Sequence, residues 1–348
     1  MLPNSHSVWR RLMTLFLAAC FVLPSPVWAW GAEGHELVGA VADRLLRGSA
    51  AADKVKNLLQ GRSLAQVAGW ADCLKSVNPE LNFEYTNAGK YVDCKIFENT
   101  EDIVAMVSFV KRNHDACFAF SSSRESCHKH YHYTDLNLQQ SGYAYPGFGS
   151  ASEDIVQALN ASIAYLQGRS VPEPFHFAND SEALLMLVHL VGDIHQPLHV
   201  AGVYLDDDGN VLLDHHLTQG PNPQKAGTAG GNALQIDQSN LHSMWDKISP
   251  TVKDAVWRQF EQTPGQVPNS FDRSALSELP AAWADESLHA ARQAFTDVRF
   301  GRKTATPRGD RWNADLPADY RAKVEVIQVE RIEKAGRRLA AILKTIYG

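Results

Sequence analysis

The segment Asp180-Ser-Glu-Ala-Leu-Leu-Met-Leu-Val-His189-Leu-Val-Gly-Asp193-Ile-His195-Gln-Pro197-Leu-His199 decides how the rest of the chain is read. Leu184, Leu185, Leu187, Val188 and Val191 describe a strongly apolar helix that begins at Asp180 or Ser181. Pro197 stops it, because proline lacks the N–H that a helix needs. Within it His189 and Asp193 stand four residues apart and share one face. A histidine and a carboxylate in so apolar a helix are costly to bury unless something satisfies them, and a bound metal ion does. His199 lies past the proline, where the chain can turn back toward that face. His195 points away from it and reads as packing behind the ligands.

Other segments repeat the same residue types at ligand spacing. His242-Ser-Met-Trp-Asp246 is again a four-residue step on a short helix, read over Asn240–Ile248. Trp70-Ala71-Asp72 closes an apolar stretch. His128-Lys-His130-Tyr-His132-Tyr133-Thr-Asp135 alternates, which predicts an extended piece with residues 128, 130 and 132 on one side. Trp30-Gly-Ala-Glu-Gly-His35 adds one more histidine. Five histidines and three aspartates in five segments are hard to explain as solvated groups. Nitrogen and carboxylate donors without thiolate suit zinc best, and manganese or iron is compatible. His128, His130, His215 and His216 read as surface residues.

Around these motifs the pattern is helical. Glu33–Arg47 has apolar positions near a 3.6 period, Ser152 is the expected N-cap of a helix to Gln167, and helices are expected over Glu286–Phe295 and Tyr320–Tyr347. Strand signals are few. Val203–Leu205 and Val211–Leu213 flank Asp206-Asp207-Asp208-Gly209-Asn210 and predict a lone hairpin. The acidic turn lacks the twelve-residue ligand spacing of an EF-hand and reads as a solvated turn. Residues 214–231 read as a mobile loop. No repeat or strong linker is present, so residues 30–348 are read as one all-α domain with a small β-hairpin insertion.

The chain has 348 residues, 45% hydrophobic and 21% charged, which excludes collagenous and wholly disordered classes. Arg10 and Arg11, the apolar run Leu12–Leu23 and Val27-Trp28-Ala29 describe a signal peptide, residues 1–29, cleaved to leave Trp30 first. Leu17-Ala18-Ala19-Cys20 offers a rival lipoprotein reading. Export to the periplasm or the medium follows from either. Loss of the leader removes two arginines and no acids, so the net charge moves from −6 to −8. A broad basic surface for nucleic acid is therefore excluded, and an anionic substrate must be drawn in by local charge such as bound metal. Cys73, Cys94, Cys117 and Cys127 remain. Three pairings are possible, and the local ones, Cys73–Cys94 and Cys117–Cys127, are expected in an exported chain.

Taken together, the motifs resemble the zinc-dependent S1/P1 nuclease family, whose fold is similar to bacterial phospholipase C. They are WGxxGH at Trp30–His35, WAD at Trp70–Asp72, HYxD at His132–Asp135, HxxGDxxQPLH at His189–His199, GGN at Gly230–Asn232 and NLHxxWD at Asn240–Asp246. The C-terminal helix also resembles the family at Gln328, Arg331, Ala335, Gly336, Arg338 and Leu339. The resemblance implies three Zn2+ ions: one held by Asp72, His132, His189 and Asp193; one by the amine and carbonyl of Trp30, His35 and a bridging Asp193; one by His199, His242 and Asp246. It implies hydrolysis of single-stranded DNA and RNA to 5′-phosphates, with nucleotides as further substrates for a 3′-nucleotidase activity.

Asp72 and Asp193 are then catalytic ligands. Tyr133 and Asp135 become candidates to stack on a base and accept its hydrogen bonds. Asn232 touches phosphate or serves the turn. Family members commonly carry an arginine where this chain has Lys75, which keeps the charge and loses the two-pronged fork. Competing readings are a phospholipase C-like phosphodiesterase acting on lipid headgroups and a secreted zinc-binding protein without catalysis. No stable membrane association or obligate protein partner is expected. The terminal amine as ligand has a direct consequence: extra residues ahead of Trp30 should cost one zinc ion and most activity. Full metal content by elemental analysis and full activity in such a protein would refute that ligand.

Overall fold

A computed structural model describes residues 30–213, 223–265, 267–306 and 309–348. The leader, His215 and His216 lie outside the described residues. Eleven helices dominate the described residues: α1 (Ala32–Leu46), α2 (Ala50–Leu58), α3 (Leu64–Val67), α4 (Trp70–Cys73), α5 (Thr100–Asn113), α6 (Ile155–Leu166), α7 (Asp180–His195), α8 (Leu241–Trp245), α9 (Pro250–Gln262), α10 (Leu279–Ala294) and α11 (Tyr320–Tyr347). The mainly helical reading therefore holds.

Helix α7 is the axis of the molecule. Every residue from Glu182 to His195 is buried, as expected of a helix that is apolar on all sides. Asn179 starts it by accepting the Glu182 N–H. Helices α1, α4, α6, α10 and α11 pack around it. Helix α1 and α11 approach closely at Gly336, where an added Cβ would lie 2.5 Å from the Val41 Cβ. The N-cap of α6 is Asp154, not Ser152: one carboxylate oxygen accepts both the Val156 and Gln157 N–H groups, while the Ser152 hydroxyl turns to Glu153. Helix α10 begins seven residues before the expected Glu286. Helices α2, α5 and α9 are less apolar than α7 and bury few residues, and the sequence reading did not include them.

Two corrections concern strands. Residues 127–132 form a 3-10 helix, so His128, His130 and His132 do not share an extended face. His128 is fully buried rather than at the surface. The 203–213 hairpin is reduced to a bridge between Leu205 and Val211. The substantial hairpin lies elsewhere, Arg299–Thr306 against Gly309–Asp315, and the second of these strands pairs in parallel with Leu234–Ile236. Its charged, Gly-containing sequence hides the alternation. The same hairpin answers the acidic turn: Arg302 pairs with Asp208 at 2.7 Å and Lys303 with Asp207 at 3.4 Å.

Long-range backbone pairing assembles the ligand segments. Leu136–Asn137 pairs in parallel with Ala201–Gly202, and Thr134 N–H donates to the His199 carbonyl at 2.9 Å. The residues after His132 are thus zipped to those after His199. Disulfides Cys73–Cys94 and Cys117–Cys127 form as expected. No helix among the described residues is long and apolar enough to cross a membrane.

Helix α11 then fixes the ends of both ligand-bearing helices from one face. Buried Arg331 donates to the His195 carbonyl at 3.1 Å, at the end of α7. One turn earlier, Gln328 Nε2 donates to the Trp245 carbonyl at 2.7 Å and the Lys247 carbonyl at 3.2 Å, just past α8. Replacing Gln328→Leu keeps the volume and leaves the buried Trp245 carbonyl and the part-buried Lys247 carbonyl without this donor. Urea unfolding should show a loss of about 1–3 kcal/mol; an unchanged midpoint would show that the contact contributes nothing.

Candidate metal centre

Asp193 is fully buried, and its two carboxylate oxygens face different neighbours. Oδ1 lies 3.1 Å from His35 Nε2. Oδ2 lies 2.9 Å from His132 Nδ1 and 3.1 Å from His189 Nε2. Asp72 Oδ1 approaches the same two histidines at 3.9 and 3.8 Å. His35 stacks on His189 with ring centroids 3.9 Å apart. The ligand atoms form three groups: Asp72, His132 and His189; His35, His189 and Asp193; and His199, His242 and Asp246.

The second group includes His189, which the resemblance implied only for the first. Trp30 is buried. The next residue is tied to the third group, since Gly31 N–H donates to the Asp246 carbonyl at 2.8 Å.

The donor chemistry shows that these groups fit metal ions. His189 Nδ1 is 2.7 Å from the Ala68 carbonyl, His199 Nδ1 is 2.7 Å from the His132 carbonyl, and His242 Nδ1 is 2.8 Å from the Gly230 carbonyl. A carbonyl only accepts, so each Nδ1 carries a proton and each Nε2 is turned toward the cluster; burial lowers His199 and His242, which leaves lone pairs on their Nε2 atoms. The Nε2 atoms of His199 and His242 nevertheless face one another at 3.1 Å. Two lone pairs at that distance repel unless a cation lies between the ligands. Both ring nitrogens of His35, His132 Nε2 and Asp193 Oδ1 are buried without a hydrogen-bond partner. Unsatisfied buried donors and acceptors are rare, and a metal site accounts for them.

Burial and charge act in opposite directions on the carboxylates. Burial pushes Asp72 up, but Lys75, whose Nζ is 2.5 Å from Oδ1, together with His189 and His132 holds it down to about 2. Burial also opposes ionisation of Asp193, and His189 and His199 hold it well below the carboxylate range. Burial pushes Asp246 well above that range, and the Asp72 and Asp193 carboxylates add to it, against the hydrogen bond from Gln196 Nε2 at 3.0 Å. Burial lowers His132 and His242 to about 3, so both imidazoles are neutral and able to ligate.

The ligands open onto a cleft of about 650 Å³. Tyr133, 37% exposed, and Asp135 stand on its wall, and burial pushes the Asp135 carboxyl up to about 6. Asn232 lines it too, but its side-chain amide donates to the Ala229 carbonyl at 2.9 Å. Its turn role is therefore formed, and only an acceptor oxygen remains. His195, behind the ligands, has Nδ1 on the Val191 carbonyl and Nε2 2.9 Å from Arg338. Gln196 is a site residue that sequence reasoning did not single out, although it lies inside the quoted motif.

The family model for S1/P1 Nuclease matches residues 30–119 and 114–348. The chain belongs to the S1/P1 nuclease family. It is accordingly a hydrolase of phosphodiester bonds in nucleic acid. Its sequence is similar to Nuclease S1 of Aspergillus oryzae, 24% identical over 339 residues that span 94% of this chain and 96% of that protein. It is also similar to Endonuclease 2 of Arabidopsis thaliana, 25% identical over 352 residues and the full length of both. Nuclease P1 of Penicillium citrinum is 23% identical over 336 residues, 92% of this chain and 98% of that protein.

Within this S1/P1 nuclease, the glycine before Asp193 is required by close approach. A Cβ at Gly192 would lie 2.6 Å from His35 Nδ1 and 2.9 Å from its Cε1. Gly192→Ala should push the His35 ring off Asp193 and cost one bound metal ion by elemental analysis, with the far-UV circular dichroism retained. Full metal content would show that His35 is not a ligand.

Proposed function

We propose that this protein is an exported trinuclear-zinc endonuclease. It would cleave single-stranded DNA and RNA to 5′-phosphate products and remove the phosphate of 3′-nucleotides. The observation that carries the reading is the division of Asp193, with one oxygen toward His35 and the other toward His132 and His189, beside a third group at His199, His242 and Asp246.

Asp72, His132, His189 and Asp193 would hold one ion, Trp30, His35 and Asp193 the second, and His199, His242 and Asp246 the third. Zinc bound there supplies Lewis acidity and makes water nucleophilic near neutral pH. The chain's own groups do the rest. The Nδ1 hydrogen bonds to the carbonyls of Ala68, His132 and Gly230 orient three imidazoles with Nε2 toward the metal groups. Lys75 holds Asp72 ionised and brings positive charge to the cleft wall, where charge develops on the phosphate in the transition state. Tyr133 offers an aromatic face and Asp135 an acceptor for a base. Stacking requires an unpaired base, which favours single strands.

The test is hydrolysis by the protein beginning at Trp30 of single-stranded DNA, RNA and phosphatidylcholine, with and without a chelator. Chelator-sensitive cleavage of both nucleic acids and an intact lipid are expected. Lipid hydrolysis alone would overturn the substrate, and zinc binding without turnover would overturn the activity. Lys75→Ala should lower kcat by about 10²-fold, with Lys75→Arg retaining most of it; equal rates for all three proteins would remove Lys75 from the mechanism.

A further inference from the structure

The wall of the cleft formed by residues 76–91 is built more firmly than its loop character suggests. The Cys73–Cys94 disulfide closes it, so the segment is anchored at the residue next to Asp72. Thr86 N–H and Oγ1 both donate to the Ser76 carbonyl, at 2.9 and 3.0 Å. Asn87 Nδ2 donates to Ser76 Oγ at 3.3 Å. Gly89 N–H donates to both oxygens of Glu98 at 2.9 Å, and Tyr85 hydroxyl reaches the same carboxylate. The chain at Lys90 is thus held from both sides, and the site is organised before any ligand arrives.

Three lysines line the cleft: Lys75, Lys90 and Lys129. Lys75 is engaged with Asp72 at 2.5 Å and Lys129 with Glu125 at 3.1 Å. Lys90 has no carboxylate within 4.0 Å among the described residues, and its ammonium lies 5.0 Å from the Tyr91 ring centre. In a chain of net charge −6, this is an exposed cation with its charge uncompensated, on a fixed wall of the substrate cleft. The metal groups and Lys75 account for one phosphate. Nothing at the metal groups uses Lys90.

We infer that Lys90 binds a second phosphate of the substrate strand, one other than the phosphate being cleaved. The segment 76–91 is then a strand-binding wall that makes the enzyme prefer oligonucleotides over dinucleotides. The inference rests on the nuclease reading above and adds a subsite to it. The chemistry requires only a phosphodiester backbone, so the preference is independent of base sequence.

The experiment measures kcat and KM for a dinucleotide and a hexanucleotide of single-stranded DNA over a range of salt, in the zinc-loaded wild type and in Lys90→Ala and Lys90→Arg. Wild-type KM should fall from dinucleotide to hexanucleotide. Lys90→Ala should raise KM for the hexanucleotide by about two- to five-fold, the range for one exposed ion pair, and so narrow that ratio, with kcat little moved. The slope of log KM against log salt for the hexanucleotide should drop by about 0.7, one phosphate contact on a single strand. Lys90→Arg should restore both. Cleavage with no chain-length dependence, or an unchanged salt slope in Lys90→Ala, would overturn the subsite and leave the nuclease reading standing. Failure of chelator-sensitive cleavage of either oligonucleotide would overturn the nuclease reading and the subsite with it.

Discussion

The structure depends on a carboxylate that has no reason to be ionised where it sits. Asp193 is completely buried in a helix surrounded by apolar side chains, and desolvation opposes its charge. His189 and His199 hold it ionised, His132 hydrogen-bonds one oxygen at 2.9 Å, and His35 faces the other at 3.1 Å. His35, His132 and His189 come from α1, from the 3-10 turn before Tyr133 and from α7 itself, so these elements must meet at one point. A misplaced element would leave an unpaired buried charge, which is far costlier than a lost apolar contact.

Much of the remaining architecture serves that meeting. The short parallel pairing of 136–137 with 201–202 brings His132 and His199 side by side. The His199 ring hydrogen-bonds the His132 carbonyl, so one ligand orients the backbone of another. Helix α11 contributes apolar residues to both buried clusters, Val324 and Tyr320 to one and Ile332 and Leu339 to the other. Its Gln328 and Arg331 cap the ends of the two ligand helices. His189, His199 and His242 each rest on a backbone hydrogen bond, the arrangement that orients an imidazole toward a metal ion.

The fold and the candidate ligands were largely legible because their signals are local. The apolar stripe of α7, the four-residue steps His189–Asp193 and His242–Asp246, and the 28-residue α11 each appear in one stretch of chain. The misses share a cause. Helices α2, α5 and α9 bury only a few residues each, so their sequences are less apolar than that of α7. The hairpin over 299–315 carries charges that pair with the acidic turn 206–208, a partnership about a hundred residues away in sequence. The alternation of 128, 130 and 132 suggested a strand, but the Cys117–Cys127 disulfide and burial of His128 accompany a 3-10 turn.

The sequence by itself singled out the candidate ligands and determined that they are nitrogen and oxygen donors and that a helix presents His189 and Asp193 together. Residue type and helical period are properties of a single segment, so a single segment reveals them. Only the tertiary structure decided that His189 also joins the His35–Asp193 group, which oxygen of Asp193 faces which histidine, and that Asn232 spends its amide on its own turn. It also decided that Gly192 must lack a side chain, because His35 arrives there from a helix about 150 residues earlier. These are distances between segments, set by how the apolar faces pack around α7, and no local pattern of residues encodes them.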